Sequence, residues 1–108
     1  MWRTDTGKID MKTEAQIEAA ACRWAKEQGW LVYKFTSPAR RSVPDRMFIQ
    51  GGHTVFIEFK RPGGKLTEGQ VREIKRLLDA GASVHVCYSV QEAKEVLLYG
   101  SKVGLQHV

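Results

Sequence analysis

Three charged residues on two short segments could do chemistry together. Pro44-Asp45 is followed, after twelve residues, by Glu58-Phe59-Lys60. Strand alternation puts Glu58 and Lys60 on one face, with Phe59 on the other. A Gly-Gly turn between the two segments predicts an antiparallel hairpin that brings Asp45 beside Glu58. Two carboxylates and one ammonium group would then meet at the open end of this hairpin.

The apolar residues around these charges make an unpaired charge there costly. A salt bridge with Lys60 accounts for Glu58 but not for Asp45 as well, because two nearby carboxylates repel each other. A divalent cation accounts for both. Mg²⁺ prefers a few carboxylates, a backbone carbonyl and several waters, which Asp45, Glu58 and the Phe59 carbonyl would help to supply. Lys60 would orient or deprotonate a water molecule, or neutralise charge that develops on a phosphate.

The elements that must position these groups are predicted to follow the order α-β-β-β-α-β-α. Their approximate ranges are 14–28, 30–35, 45–50, 53–60, 68–80, 83–88 and 90–98. Thr13 with Gln16 forms a capping box at the first helix, Gly29 ends that helix, and Thr67 caps the second helix. The connection from the third strand through the second helix to the fourth strand should be parallel and right-handed. The expected fold class is α/β, a mixed central sheet flanked by helices in one domain over 1–108.

Two helices carry apolar stripes that predict buried faces. In the first helix the stripe contains Ile17, Ala21, Trp24 and Ala25. In the second helix it contains Val71, Ile74, Leu77 and Leu78.

Composition limits the classes of protein that are possible. The 108 residues are 43% hydrophobic, which is too apolar for a disordered chain. No uninterrupted apolar run approaches the roughly 18 residues that a membrane span needs. The start of the chain, residues 1–13, is polar and charged, so a secretory signal is not expected and a cytoplasmic location is. A net charge of +5, from 17 basic and 12 acidic residues, suits a polyanionic partner such as nucleic acid.

Several short motifs along the chain resemble those of a known family of enzymes. Pro-Asp, twelve residues and then Glu-x-Lys is similar to the motif of the PD-(D/E)xK nucleases. More narrowly, residues from about 12 to 99 resemble stand-alone VRR-NUC nucleases of phages and bacteria. The matching features are Thr-Glu-Ala-Gln-Ile-Glu at the first helix, Gly29, Val-Pro-Asp-Arg, Ile-Glu-Phe-Lys and Leu-Thr-Glu-Gly-Gln. The resemblance implies a restriction-endonuclease-like fold and a phosphodiesterase that cleaves DNA with Mg²⁺ or Mn²⁺. It makes Asp45 and Glu58 metal ligands and Lys60 the catalytic lysine.

The resemblance also implies a glutamate on the first helix that completes the site. Glu14 fits the motif position best, whereas counting back from Gly29 favours Glu18, one helical turn away on the same face. Many members of the family have Gly where this chain has Val43, and Gln where it has Glu18. Gln70, in the first turn of the second helix, is expected near the active site, where it would touch substrate or the catalytic lysine.

The segment before and around Asp45 is basic and is expected to bind DNA phosphates. The residues expected to do so are Lys34, Arg40, Arg41, Ser42 and Arg46. Five further basic residues could extend this surface: Arg61, Lys65, Arg72, Lys75 and Arg76. The last three also fit an exposed helix face.

The preferred function is an endonuclease, and the resemblance implies products with 5′-phosphate and 3′-hydroxyl ends. Stand-alone relatives are typically homodimers, and two sites about a two-fold axis would suit symmetric cuts in a Holliday junction. Flap or nicked-duplex cleavage is the close alternative. There are two further alternatives. One is a non-catalytic DNA-binding module of a phage recombination system, and the other is a charged hairpin with a purely structural role. Trp2 could pack on a partner subunit.

Overall fold

The chain folds in the predicted order α-β-β-β-α-β-α, in a computed structural model that describes residues 12–102. The elements are α1 (Glu14–Glu27), β1 (Leu31–Lys34), β2 (Arg46–Gln50), β3 (His53–Phe59), α2 (Glu68–Asp79), β4 (Ser83–Cys87) and α3 (Val90–Tyr99). Each boundary lies within one residue of its predicted position. The expectations for Trp2 and for the tail beyond Lys102 fall outside the described residues.

The four strands form one mixed sheet in the order β1-β2-β3-β4. β1, β2 and β3 are antiparallel neighbours, and β3 pairs with β4 in parallel. Arg46 lies opposite Ile57 in the antiparallel β2–β3 register. Asp45, which precedes Arg46, is therefore next to Glu58, which follows Ile57. This register sets Asp45 against Glu58, as the hairpin predicts.

Polar side chains fix where the first two helices begin. The Thr13 hydroxyl accepts the Gln16 amide N–H, and the Gln16 side chain accepts the Thr13 N–H. Thr67 and Gln70 form the same reciprocal pair at α2. These capping boxes satisfy amide donors that a helix start leaves without partners. They also fix the position of the first turn, which carries Glu14 in α1 and Gln70 in α2.

The hydrophobic core lies between one face of the sheet and the pair α1 and α3. Phe48, Ile57 and Phe59 are completely buried on the sheet side. From α1, Ile17, Ala21 and Ala25 are buried as predicted, and Trp24 packs at the edge of the cluster. Two free cysteines, Cys22 and Cys87, are buried among these residues.

The predicted buried face of α2 is wrong in part. Val71 and Leu78 are 51% and 49% exposed, and the only buried residue of this helix is Glu73. The physical reason is that β4 is the main described element that packs on α2, and this one-sided contact leaves Val71 and Leu78 about half exposed. Glu73 is tolerated below the surface because its carboxylate lies 3.5 Å from both Arg40 and Arg76.

Within residues 12–102, every helix is too short or too polar to pass through a bilayer.

Candidate active site

Asp45 stands immediately before β2 and is held from both neighbouring strands. Its carbonyl oxygen accepts the Phe35 amide N–H at 3.0 Å. Its carboxylate oxygen Oδ2 accepts the Phe59 amide N–H at 2.8 Å. The backbone thus fixes the Asp45 carboxylate across the open end of the β2–β3 hairpin. The sequence prediction invoked the Phe59 carbonyl as a ligand and missed this role of the Phe59 amide, which only the strand register could have indicated.

Glu58 is a buried carboxylate near the end of β3, where its strand neighbours Ile57 and Phe59 are also buried, and 1% of the residue is exposed. Its oxygen Oε2 accepts a hydrogen bond from Gln70 Nε2 at 3.0 Å. Lys60 Nζ lies 3.9 Å from the same oxygen. Gln70 therefore lies beside Glu58, and its observed partner is this carboxylate rather than Lys60.

Glu14 brings a third carboxylate to the same place. Glu14, Asp45 and Glu58 each offer an oxygen, and these atoms lie within 4.8 Å of one another. With bonds of about 2.1 Å, two oxygens on one Mg²⁺ are about 3.0 Å apart at adjacent positions and about 4.2 Å apart at opposite positions. The three oxygens would therefore have to approach by at most about 2 Å to share one cation. We call Glu14, Asp45 and Glu58 the carboxylate cluster.

The electrostatics of the carboxylate cluster favour a cation. Burial raises the pKa of the Glu58 carboxyl to about 8, and the negative charge of Asp45 adds to the rise while Lys60 opposes it. Burial also raises the pKa of Asp45, and the hydrogen bond from the Phe59 amide works in the other direction. Both carboxyls would become easier to ionise beside a divalent ion.

Glu18, the second candidate on α1, lies in a different environment. Its carboxylate accepts a hydrogen bond from the Arg46 guanidinium in a partly buried ion pair. Arg46, expected to contact DNA, is therefore turned toward α1. The structure brings Glu14 rather than Glu18 to Asp45 and Glu58.

The other residues expected to bind DNA line the loop before Asp45. Lys34, Arg40 and Arg41 are exposed, and Ser42 is half-buried. Arg40 also forms the ion pair with Glu73, a buried partner that the periodicity of α2 did not reveal.

Comparison with known proteins places this geometry in context. No family model matches the chain. Over 85 residues the chain is 40% identical to "Putative nuclease p44" of Acyrthosiphon pisum secondary endosymbiont phage 1, which covers 78% of this chain and 90% of that protein. A solved structure described as "VRR_NUC domain" has a TM-score of 0.72 at 27% identity, covering 80% of this chain and 95% of the other. The chain belongs to the VRR-NUC family of nucleases.

A second VRR-NUC structure supports the fold alone. It is described as "VRR_NUC domain protein", with a TM-score of 0.69 at 17% identity, covering 88% of this chain and 91% of the other. The restriction-endonuclease-like fold expected from the motif resemblance is confirmed, with the mixed sheet and flanking helices in the expected order. In this VRR-NUC chain the motif residues Asp45, Glu58 and Lys60 lie together at the hairpin end.

Proposed function

We propose that this VRR-NUC chain is a DNA endonuclease that uses a divalent cation held by Glu14, Asp45 and Glu58. The observation that carries the proposal is the carboxylate cluster, whose three ligand oxygens lie within 4.8 Å while Glu58 is buried. A purely structural hairpin would not need three acids around one buried position, because their mutual repulsion disfavours the ionised form. The Phe59 carbonyl remains a candidate for a further ligand.

The donor set suits a hard cation. All three side-chain donors are carboxylate oxygens, which Mg²⁺ and Mn²⁺ accept readily, and neither His nor Cys belongs to the cluster. A bound Mg²⁺ or Mn²⁺ would make a water molecule more acidic and polarise the phosphate oxygens.

The remaining side chains have defined parts in hydrolysis. Gln70 orients the Glu58 carboxylate through its 3.0 Å hydrogen bond. Lys60, beside Glu58, neutralises charge on the phosphate oxygen as water attacks. The water oxygen bonds to phosphorus, the bond from phosphorus to the 3′ oxygen breaks, and the proton lost by the water is balanced by the one gained by the 3′-hydroxyl. The products carry 5′-phosphate and 3′-hydroxyl ends.

The basic loop before Asp45 would hold the DNA backbone. Lys34, Arg40 and Arg41 are exposed cations on the segment that leads into the site, and Ser42 adds a hydroxyl donor. Arg46 would act less directly, because its guanidinium is paired with Glu18. The net charge of +5 favours association with a polyanion in general.

Branched DNA is the preferred substrate, cut by a homodimer. β1 is an edge strand, and its Leu31 and Tyr33 are 55% and 51% exposed. Exposed apolar side chains on an unpaired edge favour association with a second copy. A two-fold pair of sites would suit a four-way junction, and a flap or nicked duplex is the alternative.

Cleavage assays test the proposal directly. Labelled four-way junction, flap and plain duplex are incubated with Mg²⁺, Mn²⁺ or EDTA. We expect metal-dependent cleavage, fastest on the junction, and a loss of at least about a hundredfold in Asp45→Asn and Lys60→Ala. Lys94→Gln, on α3, is the control for charge. Cleavage that persists in EDTA or in Asp45→Asn would refute the mechanism, and binding without cleavage under every metal would favour a non-catalytic module.

A further inference from the structure

A basic cavity of about 340 Å³ lies between the loop before Asp45 and helix α2. Four arginines line it, two from the loop and two from the helix, together with the Ser42 hydroxyl and the buried Glu73 carboxylate. The arginines are Arg40, Arg41, Arg72 and Arg76. We call this the arginine cavity.

The arginine cavity adjoins the carboxylate cluster through one turn of α2. Gly69 lines the cavity, and the next residue, Gln70, donates to Glu58. A Cβ at Gly69 would lie 2.6 Å from the Ser42 hydroxyl oxygen, closer than real Cβ atoms approach. Glycine at this position therefore leaves room for the Ser42 hydroxyl in its present orientation, where the loop meets the helix.

The charges of the cavity are not balanced within the described residues. Arg40 and Arg76 each lie 3.5 Å from one Glu73 oxygen, so a single buried carboxylate holds two guanidinium groups. Arg72 has only a 4.0 Å contact with the fully exposed Glu68, and Arg41 makes no ion pair with residues 12–102. The cavity thus has an excess of positive charge. Its guanidinium groups are planar and donate several hydrogen bonds each, which suits the oxygens of a phosphate.

We propose that the arginine cavity binds a backbone phosphate of the DNA substrate other than the phosphate that is cleaved. Arg41 and Arg72 are its main contacts, and Glu73 is a positioning residue that aligns Arg40 and Arg76. The proposal rests on the proposed function because it takes DNA as the substrate. The proposal gives different roles to the basic residues of α2. Arg72 and Arg76 line the cavity, whereas Lys75 lies outside it and pairs with Asp79 at 2.9 Å.

The test is a binding measurement that does not require cleavage. Fluorescent duplex and four-way junction are titrated with the protein in EDTA and in Ca²⁺ over a range of salt concentrations. The variant Arg41→Gln/Arg72→Gln leaves the ion pairs of Glu73 intact. We expect its affinity to fall by about ten- to a hundredfold, equally for different sequences, and the slope of log K against log salt to decrease by about 1 to 2.

The matched control is Arg23→Gln/Lys75→Gln, which removes two exposed positive charges elsewhere on α1 and α2. We expect its affinity to change by less than about threefold, because neither group lines the cavity. Equal losses in the two double variants would overturn the proposal in favour of a general charge effect. Wild-type affinity and salt slope in Arg41→Gln/Arg72→Gln would overturn it as well.

Kinetics separate this inference from the proposed function. Hydrolysis of thymidine 5′-p-nitrophenyl phosphate, which has a single phosphodiester, does not need a second phosphate contact. We expect the loss of kcat/KM in Arg41→Gln/Arg72→Gln to be at least about tenfold greater on DNA than on this diester. Equal losses on both would mean that the arginines act on the scissile phosphate. If the wild type cleaves nothing but the two double variants still differ in DNA affinity, the proposed function fails and the cavity stands only as a site that binds a DNA backbone phosphate. Arg41→Gln alone replaces the double variant if the double variant does not fold.

Discussion

At the open end of the β2–β3 hairpin, two carboxylates share one side of the ribbon with a single ammonium group. Glu58 is the more buried of the two acids, and Asp45 accepts a hydrogen bond from the main-chain amide of Phe59. Their repulsion is relieved either by a proton or by a cation. Proton and metal ion therefore compete for the same oxygens.

This competition predicts how Glu58→Gln changes stability in EDTA. The pKa of Glu58 is raised from 4.5 to about 8 in the folded protein. Its contribution to folding is therefore fully present below about pH 4.5 and is lost as the pH rises through about 8. Because Gln carries no charge to bury, we expect Glu58→Gln to increase the free energy of unfolding by a few kcal/mol at pH 9 and by little at pH 5. Urea denaturation at both pH values measures this, and an equal effect at the two would contradict the burial argument.

The two candidate glutamates of α1 predict different metal affinities. Glu14 belongs to the carboxylate cluster, whereas Glu18 is engaged by Arg46. We expect Glu14→Gln to weaken Mn²⁺ binding by at least about tenfold, and Glu18→Gln to weaken it by less than about threefold. Isothermal titration calorimetry with Mn²⁺ and no DNA gives both values. The reverse order would assign the ligand role to Glu18.

At the scale of helices and strands, local signals in the sequence predicted the boundaries well. The capping boxes at Thr13 and Thr67 and the left-handed glycine at position 29 mark helix ends through contacts of a few residues. The Gly-Gly turn fixed the hairpin and hence the pairing of Asp45 with Glu58. Those features depend on near neighbours in the chain, which is why a single sequence reveals them.

Features that depend on distant segments were not predictable in the same way. Periodicity shows that Val71 and Leu78 share a face of α2, but it does not show that no other described element covers that face fully. Likewise, Glu73 is buried because Arg40 reaches it from a loop 33 residues away in the chain. The choice between Glu14 and Glu18 also depends on where α1 meets the sheet, which their shared helix face leaves open.

The close contact between Gly69 and Ser42 predicts an energetic coupling between α2 and the loop. Gly→Ala within a helix is favourable by up to about 1 kcal/mol, but here the new methyl group would press on the Ser42 hydroxyl. We expect Gly69→Ala to be neutral or destabilising in the wild type, and stabilising when combined with Ser42→Ala. A double-mutant cycle from urea denaturation should give a coupling of at least about 0.5 kcal/mol. Additive effects would contradict the coupling and would mean that the Ser42 hydroxyl rotates away from the new methyl group, or the loop moves, at no cost.

At the scale of the whole molecule, the exposed edge of the sheet predicts self-association. Leu31→Ser/Tyr33→Ser removes two large apolar groups from β1 without altering the charge. We expect sedimentation velocity to show a dimer for the wild type and a monomer for this variant. Leu98→Ser/Tyr99→Ser, which removes exposed apolar groups at the end of α3, is the matched control and should stay dimeric. A monomeric wild type, or loss of the dimer only in the control variant, would rule out β1 as the interface.

The hydrogen bond from the Phe59 amide to Asp45 has a spectroscopic consequence. The donor is part of the polypeptide backbone, so it persists in every variant of the site that keeps an acceptor at position 45. Any event that draws electron density from that carboxylate weakens the bond and changes the shielding of the Phe59 amide proton. In a ¹⁵N-labelled sample this one resonance would act as a built-in indicator of cation occupancy, readable without DNA and without turnover.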